Sequence, residues 1–260
     1  MPAPENALKA ALAEGRVQIG CWLALASPGA AEIAASAGFD WCLVDAEHGP
    51  NDLSDVLGQL RAMRGRGTQP VVRVPVGEPW ILKRVLDLGA QSVLVPMVNT
   101  GAEAAACARA VRYPPAGIRG LGAAIVRASD YNAVTDYAAT ANDEVCLIVQ
   151  AESREAIGNI DAIAGTEGVD AVFIGPADLA ADMGHIGNPA ADEVVDAIAH
   201  AIGRIRAAGK APGILAFDPA AAMRYVEAGV RFIAVGSDVT VLARGLRGLA
   251  QESRTALGGS

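Results

Sequence analysis

Trp41-Cys42-Leu43-Val44 runs directly into Asp45-Ala46-Glu47-His48, so a short apolar stretch ends in two carboxylates and an imidazole. The device recurs along the chain. Val71-Val72 ends at Arg73, Val145-Cys146-Leu147-Ile148-Val149 ends at Gln150 and Glu152, and Ala171-Val172-Phe173-Ile174 leads into Gly175-Pro176-Ala177-Asp178. Short, continuously apolar runs read as strands of a parallel sheet covered on both faces. In a barrel of such strands, functional groups gather at the carboxyl ends. Four strands would then deliver a base, a cation and two carboxylates to one rim, a set suited to chemistry on a 2-keto acid.

Working outward, apolar runs recur near 19–24, 41–45, 71–74, 92–96, 145–150, 170–174, 212–216 and 231–235. Helical signals lie between them. Ser27-Pro28 and Asp218-Pro219 each pair an N-cap with a first-turn proline, and Thr100 with Glu103 forms a capping box. Leu53, Val56, Leu57, Leu60 and Met63 recur at helical spacing, as do Val194, Ile198, Ile202 and Ile205. Glycines at 38, 67, 89, 168, 209 and 229 stand before most strands, where helices should stop. Eight strands alternating with helices predict one α/β domain over residues 1–260, a (β/α)8 TIM barrel. A doubly wound sheet is the alternative, but it would usually use fewer strands. The stretch Arg112–Asn142 breaks the rhythm, and its length after the fourth strand places it on the active rim as a lid or subunit contact. Its Gly117-Ile118-Arg119-Gly120-Leu121-Gly122 run lacks the strand and acidic partner of a dinucleotide site.

Composition narrows the function. A net charge of −8 with no basic stripe argues against nucleic acid. No apolar stretch reaches the ~18 residues that span a bilayer, so no membrane partner is expected. Met1–Gly15 shows no signal-peptide core, so the expectation is a soluble cytoplasmic protein. Cys21, Cys42, Cys107 and Cys146 show no metal or redox spacing, and Cys42 and Cys146 read as buried free thiols within strands. The only lysines are Lys9, Lys83 and Lys210, and none follows an expected strand. That excludes a lysine Schiff base.

Glu152 and Asp178 follow the fifth and sixth strands, which are neighbours in a barrel. Two such carboxylates, with water and substrate oxygens, would complete an octahedral site for Mg²⁺ or Mn²⁺. The simpler role of each alone is a helix cap; the pair, joined by Gln150, favours the metal. His48 stands among carboxylates that would raise its basicity. His185 lies in a glycine-flanked loop and is a weaker candidate, and His200 falls on a helix surface. Arg73 ends an apolar strand, and a guanidinium there needs an anion or a developing negative charge. A salt bridge to a rim acid is compatible with that role. The parts add up to metal-dependent aldol cleavage: a cation stabilises the enolate as a Lewis acid, Arg73 faces the oxyanion, and His48 moves the hydroxyl proton.

These residues resemble those of the HpcH/HpaI family of metal-dependent class II pyruvate aldolases. The stretches that carry the resemblance are Asp45-Ala46-Glu47-His48-Gly49-Pro50-Asn51, Val72-Arg73-Val74-Pro75, Asp87-Leu88-Gly89-Ala90-Gln91, Val95-Pro96-Met97-Val98, Arg119-Gly120, Gln150-Ala151-Glu152-Ser153-Arg154-Glu155-Ala156 and Phe173-Ile174-Gly175-Pro176-Ala177-Asp178-Leu179. The resemblance implies a phosphoenolpyruvate/pyruvate-type barrel whose C-terminal helix is exchanged between subunits of a hexamer, a trimer of dimers. It implies His48 as proton acceptor, Arg73 as transition-state stabiliser, and Glu152 and Asp178 as ligands of Mg²⁺, Mn²⁺ or Co²⁺. Gln150 and the Ala177-Asp178 backbone would hold substrate, and Asp87 would tune the histidine.

Chain direction places Asp87 at the end of a helix, beneath the barrel, and His48 at the top. Any action of Asp87 on a histidine must then cross a subunit boundary; the alternative is a local salt bridge to Lys83 or Arg84. The implied reaction releases pyruvate or hydroxypyruvate and an aldehyde from a 4-hydroxy-2-oxo acid, with the aldehyde side read by rim loops such as Arg112–Asn142 and by Leu215. Other readings of the same residues are an enolate-forming isomerase or decarboxylase, or a non-catalytic small-molecule binding protein.

Overall fold

The computed structural model describes residues 1–258. Eight parallel strands close into a barrel in sequence order: β1 Gln18–Leu23, β2 Trp41–Asp45, β3 Gln69–Arg73, β4 Ser92–Val95, β5 Cys146–Ala151, β6 Ala171–Ile174, β7 Ala211–Leu215 and β8 Phe232–Ser237. Helices return the chain between them: α2 Pro28–Ser36, α3 Leu53–Ala62, α4 Pro79–Asp87, α5 Gly101–Ala110, α6 Tyr137–Glu144, α7 Arg154–Gly158, α8 Ile160–Ala164, α9 Pro176–Asp182, α10 Asp192–Ala207 and α11 Pro219–Ala228. A short helix, α1 Ala7–Ala13, precedes the barrel, and α12 Asp238–Ala256 ends it. The (β/α)8 architecture expected from the sequence is the one observed.

Local chemistry explains the helix starts. The Ser27 and Asp218 side chains accept from the amides of Ala30 and Ala221, ahead of Pro28 and Pro219. Thr100 and Glu103 make the reciprocal bonds of a capping box. Of the expected helix stops, Gly38, Gly89, Gly168, Gly209 and Gly229 take positive φ, whereas Gly67 does not and Gly65 takes that role.

Period-two alternation divides each strand between two cores. Cys42 and Val44 pack outward against the helices. Trp41 and Leu43 point into the barrel with Trp22, Val71, Leu94, Ile148, Phe173 and Phe232. Trp41 stacks on Phe232 at 3.9 Å, and Trp22 lies 5.4 Å from Phe173. Large rings thus fill the interior that small aliphatic side chains would leave empty. All four cysteines are buried free thiols.

One expectation is overturned. The stretch 112–142 connects α5 to β5, so it lies at the amino ends of the strands and is no lid on its own rim. Helix α5 has already carried the chain from the carboxyl end of β4 to the other end before this stretch begins. There it binds the N-terminus: the Met1 amine donates to Thr135 Oγ1 at 2.8 Å and the Asn6 amide to Glu144 Oε2 at 2.7 Å.

Candidate active site

The inward positions of the strands continue upward into polar residues. Above Trp41 and Leu43 comes Asp45, above Val71 comes Arg73, and above Cys146 and Ile148 comes Gln150. Alternation therefore aims all three into the barrel mouth.

Asp45 and Arg73 occupy the same register on adjacent strands. Arg73 Nε and NH2 donate to the two Asp45 oxygens at 2.8 and 2.7 Å, its NH1 lies 2.7 Å from Glu47 Oε2, and its guanidinium carbon stands 5.4 Å from the Trp22 ring. Burial opposes ionisation of Asp45, but the hydrogen bonds and charge of Arg73 outweigh it and hold the carboxyl below its ordinary value. Asp45 Oδ1 also accepts from the amides of Glu47 and His48 at 3.1 and 3.4 Å, which folds the following loop over the strand end. His48 is the exposed member, its side chain 68% accessible, with Nε2 4.0 Å from Glu47 Oε2.

Across the mouth, Glu152 follows β5 and is 3% exposed. Its Oε1 accepts from the Met97 amide at 2.8 Å, and its Oε2 accepts from Gln150 Nε2. Met97 reaches this orientation with φ of 54°, a left-handed conformation unusual for a side chain of its size. A Cβ at Gly175 would collide with the Glu152 carboxylate and lie 3.0 Å from Gln150 Nε2, so this close approach of β6 to β5 requires glycine. Asp178 stands in the first turn of α9, after Pro176 and Ala177.

Burial raises the Glu152 carboxyl to about 7; the Met97 amide works against this, and the charges of Asp178 and Glu47 add to it. Burial likewise raises Glu47, with Arg73 and His48 opposing and Asp45 and Asp178 reinforcing. Glu47, Glu152 and Asp178 thus feel one another's negative charge around the mouth. The Gln150 side-chain oxygen is also buried there without a hydrogen-bond partner among the described residues. Among the described residues no group of three or more His, Cys, Asp and Glu side chains is placed to hold a metal ion by itself. By their chemistry the two hard carboxylates Glu152 and Asp178 would suit a divalent cation whose other ligands are water or substrate oxygens.

The structure brings His48, Arg73, Gln150, Glu152, Ala177 and Asp178 to the carboxyl ends of β2, β3, β5 and β6. It does not bring Asp87 to them. Asp87 ends α4 at the opposite end of the barrel, and its Oδ1 accepts from Arg119 NH2 at 2.7 Å. Arg119 thus takes the place of Lys83 or Arg84, the local partners held as the alternative: α4 turns Asp87 toward the 112–142 connection. The lysines stay off the rim. Lys9 binds the carbonyls of Asp143 and Val145 at the amino end of β5, Lys83 lies within α4, and Lys210 precedes β7. Sequence reasoning allowed Arg73 a salt bridge to a rim acid without naming Asp45 and Glu47 as the partners, and it gave no role to the Met97 amide. The spacing of Asp45 and Glu47 around the strand end could have signalled the first; nothing in the sequence signals a strained backbone donor.

A parallel α/β barrel with an ionised pair and clustered carboxylates at its catalytic rim defines an enzyme of the TIM-barrel class. A family model described as HpcH/HpaI aldolase/citrate lyase matches residues 18–245, and the chain belongs to that family. A hydroxypyruvate/pyruvate aldolase from Agrobacterium fabrum is 55% identical over 249 residues, 96% of this chain and 94% of that protein. A 4-hydroxy-2-oxo-heptane-1,7-dioate aldolase from Klebsiella pneumoniae is 56% identical over 245 residues, 94% of this chain and 92% of that protein. The crystal structure of an HpcH/HpaI aldolase/citrate lyase family protein from Burkholderia cenocepacia, 44% identical, superposes with a TM-score of 0.92 over 96% of this chain and 99% of that one. The chain is an aldolase, a carbon–carbon lyase.

Proposed function

We propose that this aldolase cleaves 4-hydroxy-2-oxo acids reversibly to pyruvate or hydroxypyruvate and an aldehyde, with His48, Arg73, Glu152 and Asp178 in the reacting shell and Gln150 and the Ala177-Asp178 backbone holding substrate. The observation that carries the reading is the union, at one barrel mouth, of a gripped guanidinium and a carboxylate whose ionisation is suppressed by burial and, to a lesser degree, by the carboxylates of Asp178 and Glu47.

Glu152 and Asp178 would hold Mg²⁺, Mn²⁺ or Co²⁺, which when bound supplies Lewis acidity toward the carboxylate and carbonyl oxygens of the 2-keto acid. The remaining steps belong to the chain. His48 accepts the proton of the C4 hydroxyl, directly or through water. The C3–C4 bond breaks, its electron pair passes to the C2–C3 unit, and the C4 oxygen becomes the aldehyde carbonyl. Arg73 stabilises the negative charge that develops on oxygen, and its own direction is set by Asp45 and Glu47. Protonation at C3 then releases the keto acid.

Two further parts of the reading concern assembly. Helix α12 has no buried residue and exposes Val239, Leu242, Leu246 and Leu249 along one side, an apolar face suited to a second copy of the chain. This supports exchange of that helix within a homo-oligomer, a hexamer built as a trimer of dimers. Asp87, being remote from the rim of its own barrel, would act on the histidine of a neighbouring subunit. The described residues include no helix long and apolar enough to cross a membrane.

A panel of aldehydes offered with pyruvate or hydroxypyruvate, with and without Mg²⁺ or Mn²⁺, tests the reaction. Metal-dependent formation of a 4-hydroxy-2-oxo acid is the expected result. Proton exchange at C3 without any carbon–carbon bond change would point instead to isomerase or decarboxylase chemistry.

A further inference from the structure

The Arg119-Gly120 pair has no role in the chemistry above, yet Arg119 is among the most fully buried large side chains of the protein. Its guanidinium lies over the Tyr113 ring at 4.4 Å and donates from NH2 to Asp87 Oδ1 at 2.7 Å. Its Nε and NH1 have no hydrogen-bond partner among the described residues. A guanidinium presents five donors, and burying it is costly unless they are matched. A cation placed only to stabilise the fold would find more acceptors than one.

The mount is rigid. The Ile118 and Arg119 amides donate to the Arg109 and Arg112 carbonyls, both at 2.8 Å, which ties the segment to the end of α5. Tyr113 is held at its amide and carbonyl by the Asn142 side chain, at 2.7 and 3.1 Å. Asp87, by contrast, remains 21% exposed in its side chain, and only its Oδ1 is engaged by Arg119. The second oxygen accepts no hydrogen bond among the described residues.

We propose that Arg119 is a positioning residue for the aldol reaction: stacked on Tyr113, it holds Asp87 by one oxygen and presents the other to His48 of the partner subunit. The inference rests on the reading that Asp87 acts across the interface. The other charged or titratable groups around the pair are Lys83 and Arg84 on α4, Arg127 and Tyr131 from the connection, Tyr113 beneath the guanidinium, and Tyr137. An ionised Asp87 beside the histidine raises the pH at which the histidine becomes a free base. Loss of that contact moves the acidic limb of the kcat/KM profile to lower pH, whereas loss of a cation acting only through its charge moves it to higher pH.

The test uses the assembled protein carrying Asp87→Asn, Arg119→Met, both together, Arg119→Lys, or Tyr113→Leu. Arg119→Met should lower kcat by about tenfold or more, the scale for removing a residue that orients a functional group, with KM for the keto acid little changed. Its acidic limb should move in the same direction as that of Asp87→Asn, and the double variant should be no worse than Asp87→Asn alone. Arg119→Lys, which keeps the charge without the planar fork, and Tyr113→Leu should move the limb the same way by less, and they decide the matter if Arg119→Met fails to fold. A limb moving to higher pH, or independent effects that multiply in the double variant, overturns the proposal. If Asp87→Asn shifts the limb and no Arg119 or Tyr113 variant does, the positioning role alone falls. If Asp87→Asn itself leaves rate and limb unchanged, the reading of Asp87 falls and takes the proposal with it.

Discussion

Arg73 and Asp45 face each other at the last register position of β2 and β3, and the guanidinium grips both carboxylate oxygens, at 2.8 and 2.7 Å. The pair is nearly buried, with side chains 8% and 3% exposed. Arg73→Lys keeps the charge but cannot make the fork, so the cation loses its fixed direction. If Arg73 stabilises the oxyanion, kcat should fall by ~10²-fold or more. A change confined to KM in steady-state kinetics would place Arg73 in ground-state binding only. Asp45→Ala should destabilise the fold by up to roughly 3 kcal/mol, because the buried cation loses its bidentate partner and keeps only Glu47. The folded carboxyl of Asp45 lies below its ordinary value, so its contribution to stability is present above pH ~4 and lost as pH falls through the folded value. Thermal melts across that range check the sign.

If Glu152 holds the metal, its carboxyl, raised to about 7, links metal binding to protons. A ligating carboxylate must be ionised, so Mg²⁺ or Mn²⁺ affinity should fall by about tenfold per pH unit below 7 and level off above it. Titration calorimetry should detect proton release on binding at pH 6 and little at pH 8. Chelator should abolish turnover, and Mg²⁺, Mn²⁺ or Co²⁺ should restore it; a borohydride-trapped adduct with pyruvate would refute the mechanism. Because the folded value exceeds the ordinary one, ionised Glu152 costs metal-free stability increasingly as pH rises from ~4.3 through 7. Glu152→Gln should therefore stabilise the metal-free protein at pH 8, by on the order of 2 kcal/mol, while weakening metal binding.

His48 is exposed and makes no buried contact that holds the fold. His48→Ala should leave the melting temperature unchanged, leave metal affinity near normal, and depress aldol cleavage strongly. Loss of metal affinity would move the histidine into the metal shell. Refolding His48→Ala chains together with Asp87→Asn chains tests the shared site. Activity above the sum of the parents supports sharing, and no recovery in verified mixed assemblies refutes it.

The apolar face of α12 should be covered in solution. Leu246→Glu combined with Leu249→Glu should break the assembly down to smaller species in light scattering without unfolding the barrel, since neither side chain is buried within its own chain. An unchanged mass would show that other surfaces hold the subunits together.

Local and periodic features were legible without a structure. Short apolar runs, N-caps at Ser27, Thr100 and Asp218, and ionisable residues at the run ends report backbone preferences that act over a few residues. They identified all eight strands and located His48, Arg73, Gln150, Glu152 and Asp178 on one rim. The tertiary structure decided what depends on contacts remote in sequence. It set the end of the barrel on which 112–142 lies, because helix α5 reverses the chain before that stretch begins. It paired Asp87 with Arg119, 32 residues away, in preference to its helical neighbours. It turned the Met97 amide onto Glu152 through a left-handed backbone and raised that carboxyl by burial among others. Strand pattern is a property of the chain, whereas solvent exclusion and charge proximity exist only once the barrel has closed.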